Sequence, residues 1–180
     1  MEAFSGFLLE LYRLARQCPA EEFQDQALGL LAGRIRFEFA RWASGDLLPN
    51  GQREVRHSHL KGDPPEIHAA YREVMTLDWP TLDLWRNCTN WPGVMRYQSA
   101  ALFAAKEMAA IRQYQRRFKH ENTLMAAAKT PSEGTFHFRH MSLYRAHENH
   151  TFEDTEVEFM RLALPLLLEA QVINAAVTDE

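Results

Sequence analysis

The side chains with the most evident chemical potential are two imidazoles, His57 and His59, one residue apart. On a strand that spacing turns both rings to one face, together with Val55, and metal sites use such a pair. His137 and His140 fall on another candidate strand, but the sequence fixes no convergent third or fourth ligand, which a closed metal site requires. The expectation is therefore histidines satisfied in the core or at its rim, with no metal and no cofactor. Nucleophilic catalysis has less support. The chain has no Gly-x-Ser-x-Gly elbow, Cys18 and Cys88 lack neighbours that would activate a thiol, and no glycine-rich phosphate loop is present. The acid pairs Glu21-Glu22 and Glu153-Asp154 sit at expected helix starts, where the helix dipole accounts for them. No catalytic residue is assigned, and a non-enzymatic role is expected.

A second group is aromatic: Trp42, Tyr71, Trp79, Trp85 and Trp91, with Asp78 among them. Isolated aromatics belong to packed cores, but here four fall in the span 71–91 around one acid. A single polar group in an apolar wall is how a small-molecule pocket fixes its ligand. Cores share that lining, so pocket and packed core both stay open. The candidate ligand-binding residues are Trp42, Tyr71, Asp78, Trp79 and Trp85.

The elements that must position these residues follow from periodicity. Phe4, Leu8, Leu11, Ala15 and Cys18 recur at helical spacing until Pro19, and a shorter helix carrying Phe23, Ala27, Leu30 and Leu31 ends near Gly33. Residues 35–43 change to period two, with Phe37, Phe39 and Arg41 alternating against Glu38, Ala40 and Trp42. Pro49-Asn50-Gly51 signals a reversal, and 53–60 supplies a partner strand. Asp63-Pro64-Pro65-Glu66 reads as a capped helix start, followed by a face of Ile67, Ala70, Tyr71, Val74 and Met75. The stretch 77–92 holds three of the four tryptophans and is expected to be an irregular wall or lid over the core. A helix over 100–119 is expected to bury Met108, Ile111 and Phe118. Strands over 122–130 and 135–146 form a second hairpin, with Phe136, Phe138, His140, Ser142 and Tyr144 on one face. An apolar helix over 153–177, kinked at Pro165, closes the chain. This order gives an α/β fold, an antiparallel sheet packed between helical layers.

Length and charge limit what such a fold can do. At 180 residues the chain makes one domain, 1–180, with a substantial core. A net charge of -4 disfavours sequence-independent nucleic-acid binding, and the basic cluster from Arg112 to Lys119 reads as a solvated helix face. Two cysteines demand no disulfide. The start Met1-Glu2-Ala3-Phe4 is not that of a signal peptide, and no stretch reaches ~18 consecutive apolar residues, so the expected compartment is the cytoplasm, with no membrane partner.

Four segments carry a family resemblance. The N-terminal FLLELYRLARQCPAEEFQDQALGLL, the strand FEFARWASG and the following HSHLKGDPPEIHAAYREV are similar to the sensor region of LuxR-family transcriptional regulators with a GAF-like domain, and HMSLYRAHENHTFEDTEVEFMRLALPLLLEA resembles its end. The resemblance implies a GAF/PAS-like sensor that binds a small-molecule effector, forms a homodimer and controls a helix-turn-helix output module. That module is expected after residue 180, and DNA contact only through it. One branch of the family holds acyl-homoserine lactones with a tryptophan, a tyrosine four residues later and an aspartate further on. Tyr71 and Asp78 correspond to the last two, and Ile67 stands in the tryptophan's place. The alternative is a degenerate GAF-like domain acting only in dimerisation or protein–protein contact.

Overall fold

The computed structural model describes residues 2–178. Two helices open it, α1 (Glu2–Gln17) and α2 (Ala20–Ala32), parted by Pro19 as the periodicity requires. Strand β1 (Phe39–Leu47) and strand β2 (Arg53–Lys61) form the first hairpin. Gly51 supplies the left-handed turn residue at φ 80°. β1 begins four residues later than the alternation suggested, because 35–38 instead carry the chain up from α2. A bulge follows Ser44, and Gly45 there is obligatory, since a Cβ would lie 2.0 Å from the Glu54 carbonyl oxygen.

The next helices depart further from expectation. α3 (Ile67–Val74) forms, but Asp63 does not cap it: its carboxylate accepts instead from His120 Nε2 at 3.0 Å. The stretch expected to be irregular contains α4 (Trp79–Asn87), N-capped by Asp78. It is followed by a strand that the periodicity did not reveal, β3 (Gly93–Gln98). The expected helix over 100–119 is broken into α5 (Ser99–Leu102), a 3-10 turn (Lys106–Met108) and α6 (Ala109–Arg117). The guanidinium of Arg112 donates to the Phe103 and Ala104 carbonyls at 2.8 and 3.0 Å, satisfying the backbone at the break. β4 (Asn122–Ser132), β5 (Thr135–Arg145) and α7 (Asp154–Thr178) complete the chain.

Among the described residues the strands make one antiparallel sheet in the order β2-β1-β5-β4-β3. One face carries α1, α2 and α7 over a continuous core of Phe7, Leu11, Phe23, Trp42, Leu143 and Leu164, among others. By length and composition α7 could cross a membrane. Here its apolar side is used internally, with Met160, Ala163, Leu164 and Leu167 all fully buried. The opposite face carries α3, α4 and α6 over two smaller clusters, one around Ile67, Phe103 and Ile111, the other around Leu84, Trp85 and Phe138. The architecture is thus an antiparallel sheet between helical layers, and the second layer is split.

Candidate functional site

Between the two smaller clusters lies a cavity of about 530 Å³. That is within the usual range for small-molecule sites. Its floor is the sheet, where alternation turns Arg41 and Ala43 of β1, Met125 of β4, and His140, Ser142 and Tyr144 of β5 to one side. α3 contributes Tyr71 and α4 contributes Thr81 and Trp85, with Asp78 at its cap; Tyr114 of α6, Tyr97 of β3 and Arg53 of β2 complete the walls.

A chain of hydrogen bonds fixes the polar groups. The Tyr71 hydroxyl donates to Asp78 Oδ2 at 2.6 Å, while Asp78 Oδ1 accepts from the Thr81 backbone N–H at 3.4 Å. Burial, then the Asp78 charge, pushes the Tyr71 phenol well up, so it stays a donor. Trp85 Nε1 donates to His140 Nδ1 at 3.0 Å, and its indole stacks on Phe138 with centroids 3.8 Å apart. Burial, helped by the charges of Arg41 and Arg53, lowers His140 to about 3. The ring is therefore neutral, Nδ1 is its acceptor, and Nε2–H faces the Ser142 hydroxyl. Tyr144 is stacked flat on His120, centroids 3.6 Å apart, and the buried Asp63 holds that imidazole from behind.

Two arginines enter the cavity. Arg41 donates from Nη2 to the Tyr114 hydroxyl at 3.2 Å and lies 5.0 Å from the centre of the Tyr71 ring. Arg53 donates to the Met75 carbonyl and sits 5.3 Å from the Trp85 ring centre. Arg56 at the rim is already paired with Asp46.

Of the five residues singled out in the sequence, the structure brings Tyr71, Asp78 and Trp85 together on this cavity. Trp42 is not there. It alternates to the other face of β1 and packs edge-on against Phe23, centroids 6.4 Å apart, in the main core. Trp79 is absent from the cavity lining as well, 43% exposed at the first turn of α4. The residues missed include Arg41, Arg53, Tyr97 and Tyr114. Arg41 was legible, because the alternation that puts Trp42 in one core puts Arg41 on the opposite, equally covered face. The histidine pair is used otherwise: His57 meets Gln24 at 2.9 Å and His59 meets Asp25 at 3.0 Å, both on α2. Among the described residues no three His, Cys, Asp or Glu converge on a metal position. Ile67, in the place of the lactone-binding branch's tryptophan, is fully buried beside Phe103 and is not part of the cavity wall.

No family model and no curated protein sequence matches the chain. Solved structures do. The N-acylhomoserine lactone dependent LuxR-family transcription factor CepR2 of Burkholderia cenocepacia superposes with TM-score 0.62 at 14% identity, covering 100% of this chain and 99% of its own. SdiA of Escherichia coli, in complex with octanoyl-rac-glycerol, gives TM-score 0.65 at 17% identity, over 100% of this chain and 68% of its own. The chain has the fold of LuxR-type ligand-binding domains. A phycoerythrobilin-bound GAF domain from a cyanobacterial phytochrome follows with TM-score 0.52, 11% identity and 96% coverage of both chains, which gives the same sheet its GAF-like character. The LuxR-type neighbours are regulatory ligand-binding domains, not enzymes.

Proposed function

We propose that this chain is the sensor domain of a LuxR-type regulator, binding a small molecule in the cavity between the sheet and α3, α4 and α6. The observation that carries the reading is the cavity itself. It is large enough for a drug-sized ligand, walled by Tyr71, Tyr97, Tyr114 and Trp85, and supplied with fixed polar groups at Asp78, His140 and Ser142. This is the composition that small-molecule sites share. The fold likeness to CepR2 and SdiA supports the same role.

The ligand acts by preferring one arrangement of the cavity walls over another. α3 and α4 close the cavity, while α1 and α7 lie side by side across the sheet, Phe159 of α7 meeting Phe7 of α1 at 5.3 Å. A change in the sheet's floor strands, β1 and β5, reaches those terminal helices directly, since Trp42 and Leu143 on the same strands sit in their core. The proposed output is a helix-turn-helix module driven by the terminal helices, in a homodimer.

The test uses Trp85. It is the one tryptophan on the cavity wall, so an occupant should change its emission, and Trp85→Phe should abolish that change. Native mass spectrometry of the purified chain should reveal a co-purified small molecule. A chain of bare mass whose emission no small molecule perturbs would leave the degenerate, purely dimerising domain as the better reading.

A further inference from the structure

The cavity lining holds more positive charge than its acids balance. Four arginines line it, Arg41, Arg53, Arg56 and Arg72, against one acid, Asp78. Arg56 is paired with Asp46, and Arg72 is exposed at the mouth. Arg41 and Arg53 enter no ion pair among the described residues. Asp78 makes no ion pair with them; its oxygens accept from the Tyr71 hydroxyl and the Thr81 backbone N–H. Each arginine also has a donor atom sealed from solvent without a hydrogen-bond partner, Nε on Arg41 and Nη1 on Arg53. The hydroxyl of Ser58, on the same wall, is likewise unpartnered.

Cations withdrawn from water are costly unless something opposite meets them, and a guanidinium's fixed fork suits a planar oxyanion. An oxyanion facing both groups would supply the counter-charge that no acid among the described residues gives them. The remaining wall is aromatic, with Tyr71, Tyr97, Tyr114, Tyr144 and Trp85. From this juxtaposition we propose that the ligand is an organic anion, a planar apolar body bearing a carboxylate or kindred oxyanion that is held by Arg41 and Arg53. The inference rests on the sensor reading above and names the chemical class of its effector.

The experiment compares 2-naphthoate, its neutral isostere 2-naphthamide and inorganic phosphate by titration calorimetry on the full 180-residue chain. Naphthoate should bind about tenfold or more tighter than the amide, as for a charge-assisted hydrogen bond, and phosphate alone should not bind at the same concentration. Arg41→Met and Arg53→Met should each cost naphthoate about tenfold more affinity than they cost the amide, bringing the two probes together, which a merely structural arginine would not do. Circular dichroism checks that the variants fold. Should Arg41→Met fail to fold, Arg53→Met carries the comparison. Equal binding of naphthoate and naphthamide would overturn the anion and leave the sensor reading standing. Phosphate alone matching naphthoate would overturn the organic body. Failure of both naphthalene probes to bind would overturn the planar organic anion, while the sensor reading stands or falls on the emission and mass-spectrometry test above.

Discussion

The indole N–H of Trp85 donates to Nδ1 of His140 across 3.0 Å, joining α4 to the central strand β5 beneath the cavity. The bond requires a neutral imidazole, because a protonated ring has no acceptor to offer. Burial supplies that neutrality, lowering His140 to about 3 from an ordinary 6.5.

Stability should therefore fall in mild acid. Between the two values the unfolded chain binds a proton at residue 140 that the folded chain refuses. The contribution is complete above about pH 6.5 and is lost as the pH drops towards 3, at up to about 1.4 kcal/mol per pH unit. His120, also lowered by burial, adds a slope of the same sign. Urea midpoints at pH 7 and pH 4.5 should differ more in the wild type than in His140→Gln, whose curve keeps only the remaining groups. Identical pH slopes in the two proteins would show that His140 titrates freely in the fold.

Trp42→Ala should destabilise the fold by about 3–5 kcal/mol, the cost of removing a large aromatic from a packed core. Its relative exposure is 2%, and it lies in the core on the side of the sheet away from the cavity. Probe affinity per folded molecule should not change. Trp79→Ala, at a largely exposed position, should stay within about 0.5 kcal/mol of wild type. Chemical denaturation of both variants checks the pair, and a mild Trp42→Ala with lost binding would return that residue to the site.

These tryptophans also show what the sequence conveyed and where it stopped. Alternation placed His140, Ser142 and Tyr144 on one face of β5, and the structure agrees. Applied to β1, the same rule separates Arg41 from Trp42, but it cannot say which face holds a cavity when both are covered. α4 is obscured by the irregular apolar spacing of Trp79, Trp85 and Trp91, although Asp78 followed by Pro80 is a helix-start signal. β3 gave no signal. It is a six-residue edge strand whose Val94, Met95, Arg96 and Tyr97 are all at best partly buried or exposed, with no alternation to detect. Asp63 shows the reverse failure: its local pattern suited a cap, and a tertiary partner, His120, took the carboxylate instead.

Asp78→Ala should have two separable effects. The side chain caps α4 through the Thr81 N–H. Its loss should cost about 1 kcal/mol, in the ordinary range for such caps. It also fixes the Tyr71 hydroxyl on the cavity wall, so probe affinity should fall as well. Tyr71→Phe should lower affinity while keeping the cap. Denaturation together with calorimetry separates the two, and a Tyr71→Phe variant that binds like wild type would confine Asp78 to a capping role.

The chain should form a homodimer through its terminal helices, but not through Leu164 and Leu168 of α7. Leu164 and Leu168 are 0% and 6% exposed, spent on the internal core, so Leu164→Glu should unfold the protomer and report nothing about assembly. The large apolar residues left outside are Leu9 on α1, 70% exposed, and Leu162, Val172 and Val177 on α7, 47%, 50% and 44% exposed. α1 and α7 lie side by side, Phe4 and Phe7 both meeting Phe159, so the outer sides of the two helices form one neighbouring surface. Two-fold pairing of such a surface is the commonest way to cover it, and a standard interface needs about 1,600 Å² in total. Sedimentation at micromolar concentration should give the dimer mass, and the double substitution Leu9→Glu with Leu162→Glu should give a folded monomer, since neither side chain belongs to the core. A wild-type chain that sediments as a monomer refutes the dimer, whereas a dimer that survives the double substitution moves its interface away from these helices.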